Sequence, residues 1–240
     1  MRLEVGGISG RFYVRSYREL RTLDAVELGE RALVELLINF LKPGDVVYDI
    51  GANIGLYTVL LARVVGDQGK MVAFEPEEQS YSHLLDNLSL NGLTGVRCIR
   101  KALGEEAGEG KLFVRDGVSI PSLSALPASD RKGQVTCERV EVEKGDRLVA
   151  QENLPLPRAV KIDVEGYEYA VIAGLRHTLA QPACKLVGCE IHPHLLPAGV
   201  HAESVRELLQ SLGFARIDRQ GRERDENFYF IARKDDLTTG

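Results

Sequence analysis

The chain reads as an α/β fold: an open, twisted, mostly parallel sheet with an antiparallel C-terminal hairpin and a small N-terminal extension. Three observations predict it. Short apolar runs, VVYDI (46–50), MVAFE (71–75), VRCI (96–99), AVKID (159–163) and LVGCEI (186–191), alternate with helical patterns or turns, the order that builds an α/β sheet. These runs are apolar on both faces, as parallel strands covered by helices must be. FARID (214–218) and NFYFIAR (227–233), separated by a charged turn, form the terminal antiparallel pair.

Taken in order, residues 2–5 and 11–15 predict an N-terminal hairpin. Val26, Leu33, Leu37 and Phe40 recur at helical spacing and predict a helix over 24–41. Asp24 and Glu27 supply its capping box, and Pro43 with Gly44 stops it. After the strand 71–75, Pro76 stands at the first turn of a helix over 77–92, in which Tyr81, Leu84, Leu85 and Leu88 are expected to face the core. KLFVRD (111–116), a Ser/Pro-rich loop (117–130) and VTCERVEVE (135–143) interrupt the alternation. Their pattern predicts an inserted or extended hairpin at the sheet's margin. One domain spans 1–240, with 1–45 as an extension and 46–240 as the core.

Composition narrows the function classes. The chain is 44% hydrophobic and 27% charged with a net charge of -5, an ordinary globular balance that disfavours a large nucleic-acid footprint. The basic segment 11–21 also carries Glu19 and reads as a solvated face. Cys98, Cys137, Cys184 and Cys189 lack C-x-x-C spacing, so neither a zinc knuckle nor a redox pair is indicated. Free thiols suit a reducing cytoplasm, the expected location. No run has the length and apolarity of a membrane span.

VYDIGANIGLYT (47–58) occupies the exit of the first core strand, where open α/β sheets bind ligands. Gly51 and Gly55 let the backbone turn sharply and approach a ligand. The next strand ends in Glu75, where a carboxylate can accept hydrogen bonds from a ribose diol. A dinucleotide fingerprint G-x-G-x-x-G would need glycine where Asn53 and Leu56 stand. A nucleoside without a pyrophosphate fits better, and S-adenosylmethionine is the obvious one. Asp49 and Asn53 would then face its amino-acid end, directly or through water.

DIGANIGLYTVLLAR with FEPEE resembles the class I S-adenosylmethionine-dependent methyltransferases. VKIDVEGYEYAVIAGL (160–175) and CEIHP (189–193) are similar to the FkbM-type methyltransferases in particular. The resemblance covers residues 30–193 and implies a seven-stranded Rossmann-like sheet with its last strand antiparallel. It implies methyl transfer from S-adenosylmethionine, leaving S-adenosylhomocysteine, usually to a hydroxyl of a small molecule, sugar or natural-product intermediate. It places Asp49, Gly51, Asn53 and Gly55 at the cofactor turn, Glu75 at the ribose, and Lys101 and Ala102 by the adenine.

A hydroxyl acceptor must lose a proton, and Asp163, Glu165 and His192 stand at strand tips where they can converge on it. Each has an alternative role: Asp163 as a helix cap, Glu165 at a helix dipole, His192 as a structural imidazole. Lys161 is expected to pair with an acidic neighbour. Cys189, Glu190, His192 and His194 suggest zinc only if the strand runs through Pro193. Asp163 with Glu190 offers oxygen ligands to a hard divalent cation, a minor option, and no metal site is assigned. An NAD-dependent oxidoreductase, a non-catalytic nucleoside-binding module and an N- or RNA methyltransferase are the competing readings. Oligomeric state is unassigned.

Overall fold

The computed structural model describes residues 1–25, 30–115, 118–122, 135–221 and 227–235. The N-terminal hairpin pairs β1 (Arg2–Val5) with β2 (Ile8–Arg11), so its second strand starts earlier than 11–15. Gly6 and Gly7, at φ 55 and 78, form the two-residue turn that sets this register. The helix expected over 24–41 is two helices, α1 (Tyr17–Ala25) and α2 (Arg31–Phe40). The start signal is Ser16, whose hydroxyl accepts the Glu19 amide at 3.2 Å, the S-x-x-E arrangement of a helix N-terminus. Asp24 therefore lies in the last turn of α1 and caps nothing, while Val26 and Glu27 fall outside the described residues.

Beyond α2 the alternation holds. β3 (Val46–Ile50), α3 (Leu56–Val65), β4 (Lys70–Phe74), α4 (Glu78–Leu90) and β5 (Arg97–Ile99) build one side of the sheet. The other side comprises β10 (Ala159–Ile162), β11 (Leu186–Ile191), β12 (Arg216–Gln220) and β13 (Phe228–Arg233), with α5 (Gly145–Gln151) before them and α6 (Glu168–Gly174), α7 (Arg176–Ala180) and α8 (Ala202–Ser211) between them. The seven strands lie in the order β12-β13-β11-β10-β3-β4-β5, with β13 antiparallel to both its neighbours. Strand order reverses between β3 and β10, which makes their tips the ligand crevice. Alternate strand residues serve two cores: Val47, Ala73, Ala159 and Leu186 pack on the α2/α3 face, and Tyr48, Val72, Val160 and Val187 on the α6/α8 face.

Three expectations are corrected. α4 begins at Glu78 with Glu77 as N-cap, so Pro76 precedes the helix instead of opening it. Leu84 and Leu88 are buried and Tyr81 packs against the core, but Leu85 is exposed because its neighbour Leu84 takes the inward direction. The interruption is not a margin of the main sheet: β6 (Ala102–Gly104), β7 (Gly108–Arg115), β8 (Val118–Ser122) and β9 (Val135–Lys144) form a separate sheet in the order β6-β9-β7-β8. β6 follows β5 after a two-residue step and offers its edge to β9, which runs parallel to it. Residues 123–130 of the Ser/Pro-rich loop lie outside the described residues. All four cysteines are free. No helix among the described residues is long and apolar enough to cross a membrane.

Two contacts lock this frame around the crevice. A Cβ on Gly174 of α6 would lie 1.8 Å from the Gly104 carbonyl oxygen, so α6 and the small sheet meet backbone to backbone. In the β3–β10 pairing Lys161 stands opposite Asp49, and their charged atoms approach to 3.4 Å with both side chains almost wholly buried. Gly174→Ala should destabilise the fold by about 2–3 kcal/mol, because neither backbone can yield. Lys161→Met should cost about 3–5 kcal/mol by stranding a buried carboxylate. Adding Asp49→Asn should recover part of that loss, and urea unfolding of the two single variants and the double variant measures the coupling.

Candidate active site

The carboxyl ends of β3, β4 and β10 open into a cavity of about 500 Å³, within the usual size of small-molecule sites. Its first wall is the turn after β3. The Gly51 and Ala52 amides donate to the Phe74 carbonyl at 3.0 Å each. Gly51 has φ 76, and a Cβ there would lie 1.8 Å from the Asp163 carbonyl oxygen. Only glycine lets the β3 and β10 exits press together in this way. Gly55 begins α3 at φ 89. Its missing Cβ makes room for Leu84, 2.5 Å from where that Cβ would stand, so Gly55 packs α3 on α4 and does not line the cavity.

Glu75, just past β4, is 3% exposed. One carboxylate oxygen accepts the Asn53 amide at 2.7 Å and the other accepts the Glu77 amide at 2.8 Å. The Asn53 side chain turns inward, its carbonyl oxygen accepting the Ile54 amide at 2.8 Å, with the residue itself at φ 51. The Gly55 amide donates to the Ala52 carbonyl at 2.8 Å. The amides of Asn53, Ile54 and Gly55 are thus all engaged within the turn. Phe74, Ala102, Leu103 and Leu112 supply an apolar slot beside Glu75, and Lys101 lines it while pairing with Glu141 at 2.5 Å.

Asp49 does not reach the cavity. It is fully buried, accepts the Thr58 hydroxyl at 2.6 Å and pairs with Lys161. Lys161 donates to the Gly51 carbonyl at 2.9 Å and stands 3.5 Å from Asp163, which makes it the acidic-paired cation that strand position suggests. Asp49 therefore acts on the turn from behind.

The opposite wall holds the titratable groups. His192 Nε2 lies 3.1 Å from Glu165, 3.7 Å from Glu190 and 3.8 Å from Asp163. Its Nδ1 meets Glu168 at 2.7 Å. Glu168 also accepts the Gly166 amide at 2.8 Å, closing the turn in which Glu165 sits at φ 52. The helix after this turn starts at Glu168 with Tyr167 as N-cap and no side-chain cap, so Asp163 is not its cap and Glu165 stands outside its first turn. β11 ends at Ile191, which leaves His194 exposed and removes the strand-based zinc arrangement. Tyr229 donates to Glu190 at 2.9 Å. Glu30, just before α2, completes the acidic lining.

Burial, followed by the charges of Glu190 and Asp163, pushes the Glu30 carboxyl up to about 8. Burial and Asp163 push Glu190 to about 7. Burial also drives Glu165 well above the usual carboxylate range against the pull of His192. For His192 burial opposes the charge, but Glu165 and the hydrogen bond to Glu168 outweigh it and raise the imidazole to about 10. The common cause is burial of several carboxylates close together. Such a wall attracts a cation and repels phosphate.

The N-terminal segment contributes to the lining. Tyr17, Arg21 and Thr22 of α1 line the cavity, and α1 is tied to α4 by His83 against Glu19 at 2.5 Å. Asp163, Glu165 and His192 are brought together, and Gly51, Asn53, Glu75, Lys101 and Ala102 line the same cavity. Glu30 and Glu168 escaped sequence reasoning. Glu168 is the last letter of the K-I-D-V-E-G-x-E string, whereas nothing near Glu30 in sequence signals a site.

Comparison with known proteins identifies the family and the fold. The family model of the methyltransferase FkbM domain matches residues 49–215. A hexuronic acid methyltransferase, AglP, of Haloferax volcanii is 28% identical over 234 residues, covering 97% of this chain and 89% of that protein. The 31-O-demethyl-FK506 methyltransferase FkbM of Streptomyces tacrolimicus is 28% identical over 177 residues, covering 63% of this chain and 67% of its own. Among solved structures, an rRNA methylase from Streptococcus thermophilus superposes with a TM-score of 0.53 at 13% identity, over 85% of this chain and 95% of that one. A precorrin-6y C5,15-methyltransferase from Geobacter metallireducens gives a TM-score of 0.50 at 14% identity, over 85% and 89%. At such identities the structures speak for the fold alone. With the family model matching residues 49–215, more than half of the chain, the chain belongs to the FkbM methyltransferase family.

Proposed function

We propose that the protein is an S-adenosylmethionine-dependent O-methyltransferase acting on a hydroxyl of a sugar or natural-product intermediate. The observation that carries the cofactor assignment is the state of the glycine turn. A pyrophosphate needs free amides at the helix N-terminus, and here those of Asn53, Ile54 and Gly55 are engaged by Glu75, the Asn53 side chain and Ala52. The Glu75 carboxylate beside them adds a repulsive charge. These features disfavour a dinucleotide and suit a nucleoside that carries a positive charge and no phosphate.

The residues present fit that group. The Glu75 carboxylate, held at the cavity wall by the Asn53 and Glu77 amides, is of the chemical type that accepts ribose hydroxyls. Phe74, Ala102, Leu103 and Leu112 offer apolar surface to a purine. When bound, S-adenosylmethionine supplies an already activated methyl group. The chain's own residues then have two tasks: to align the acceptor oxygen behind the methyl, and to take the hydroxyl proton. Asp163, Glu165, Glu190 and His192 surround the position where that oxygen would stand. His192 orients the carboxylates, and the carboxylates receive the proton. The relatives named for a hexuronic acid and for a 31-O-demethyl natural product support an oxygen acceptor on a sugar or natural product. The acidic lining disfavours RNA as acceptor.

Glu75→Ala should weaken S-adenosylhomocysteine binding by more than ~tenfold in calorimetric titration, because the ribose hydroxyls lose their partner. Titration of the unaltered protein with NAD should give no binding, and NAD binding alone would refute the assignment. Asp163→Asn should lower turnover, followed as S-adenosylhomocysteine release with a panel of sugar acceptors, by ~100-fold or more while leaving S-adenosylhomocysteine affinity unchanged. Full activity in this variant would remove Asp163 from the acceptor site.

A further inference from the structure

We propose that Asp163, Glu165 and His192 form a binding site for one divalent cation of the Mn²⁺ class at the acceptor end of the cavity. Each residue offers one ligand atom, and the three atoms lie within 4.8 Å of one another, close enough for a single ion to bridge them after small side-chain shifts.

Two further observations separate this cluster from a chance gathering of acids. The first is the imidazole. His192 is 2% exposed, and Glu168, itself fully buried, holds its Nδ1 at 2.7 Å. That contact leaves Nε2 directed at Glu165 and Asp163. A carboxylate behind one ring nitrogen with the other presented to a ligand is the usual support of a metal-bound histidine. The second is Asp163. Its Oδ1 is buried without a hydrogen-bond partner among the described residues, while Oδ2 faces Lys161 at 3.5 Å. His192 Nε2 stands 3.8 Å from that Oδ1, beyond hydrogen-bond reach. A buried carboxylate oxygen without a hydrogen bond is costly, and an ion at this position would satisfy it. The turn carries Glu165 at φ 52 and brings its carboxylate to 3.1 Å from His192 Nε2, the kind of local strain found where a site is over-determined.

The donor set selects the ion. One imidazole with two carboxylates suits Mn²⁺ better than Mg²⁺, which prefers oxygen alone, and it lacks the thiolates of structural zinc. Three protein ligands leave open positions facing the cavity, where an acceptor oxygen can enter. The metal site stands on the geometry; the ion's role in holding the acceptor rests on the methyl-transfer reading. With the three ligands engaged, Glu30 and Glu190 remain as the carboxylates free of the ion.

The test uses the full chain, stripped with a chelator and titrated with MnCl₂ in the absence of cofactor and acceptor, with free Mn²⁺ followed by electron paramagnetic resonance. One ion should bind per chain, and electron spin-echo modulation should show nitrogen from a directly bound imidazole. His192→Gln and Asp163→Asn should each lower Mn²⁺ affinity by ~10–100-fold, with S-adenosylhomocysteine affinity retained as evidence of folding. No bound Mn²⁺, absence of the nitrogen signature, or equal affinity in both variants overturns the proposal. If the variants do not fold, the nitrogen signature of the unaltered protein decides alone. Titrating the same protein with S-adenosylhomocysteine separates the two readings. Bound Mn²⁺ with no S-adenosylhomocysteine binding supports the metal site and removes the methyl-transfer reading, whereas the reverse outcome overturns the metal site and spares that reading.

Discussion

The crevice depends on one buried ammonium. Lys161 reaches from the middle of β10 across to β3, where it donates to the Gly51 carbonyl and pairs with Asp49, and it stands beside Asp163 on its own strand. Its charge is secured because burial alone would discharge it, and only the surrounding carboxylates keep its affinity for the proton high. In turn the ammonium gives the buried Asp49 carboxylate a partner behind the turn. It also lies 5.0 Å from the centre of the Tyr57 ring, on a residue that lines the cavity. Strand pairing, glycine turn and acidic wall therefore share a single counter-ion.

Glycines set how closely the parts around that ion can approach. Gly51 brings the β3 and β10 exits within backbone contact, and Gly166 does the same for the Asp163 turn against Leu195, whose carbonyl oxygen would lie 2.4 Å from an added Cβ. Gly174 does so for α6 against the small sheet. Of these three glycines Gly51 lines the cavity itself, as do Tyr17, Arg21 and Thr22 of α1. The apolar slot beside Glu75 and the acidic wall around His192 are consequently held by backbone, not by flexible side chains, a basis for the alignment that group transfer requires.

Charge then divides the cavity by function. The end near Glu75 is mostly apolar with one engaged carboxylate, whereas the end near His192 concentrates Asp163, Glu165, Glu190 and Glu30. The raised affinities of Glu30, Glu190 and Glu165 for protons have the same origin as the proposed affinity for a positively charged ligand. A cation entering this wall relieves repulsion that the folded chain otherwise carries.

The sequence by itself determined the sheet. Its buried parallel strands are continuous apolar runs, so VVYDI and LVGCEI coincide with β3 and β11, and the C-terminal pair appears where alternation and a charged turn foretold it. It also determined which titratable groups stand at the strand tips, because Glu75, Asp163 and His192 each follow directly on such a run. The tertiary structure alone decided which way those groups point. Asp49 and Asn53 turned out to serve the turn because their partners, Lys161 and the Ile54 amide, are set by cross-strand register and local dihedrals. Glu30 and Glu168 joined the site through packing between segments far apart in the chain, which no local pattern encodes. The separate four-stranded sheet likewise depends on a short β6 whose three residues form a strand only because β9 lies beside them. Local periodicity reports burial on one element, whereas a site is a meeting of several, and their meeting is decided by long-range packing.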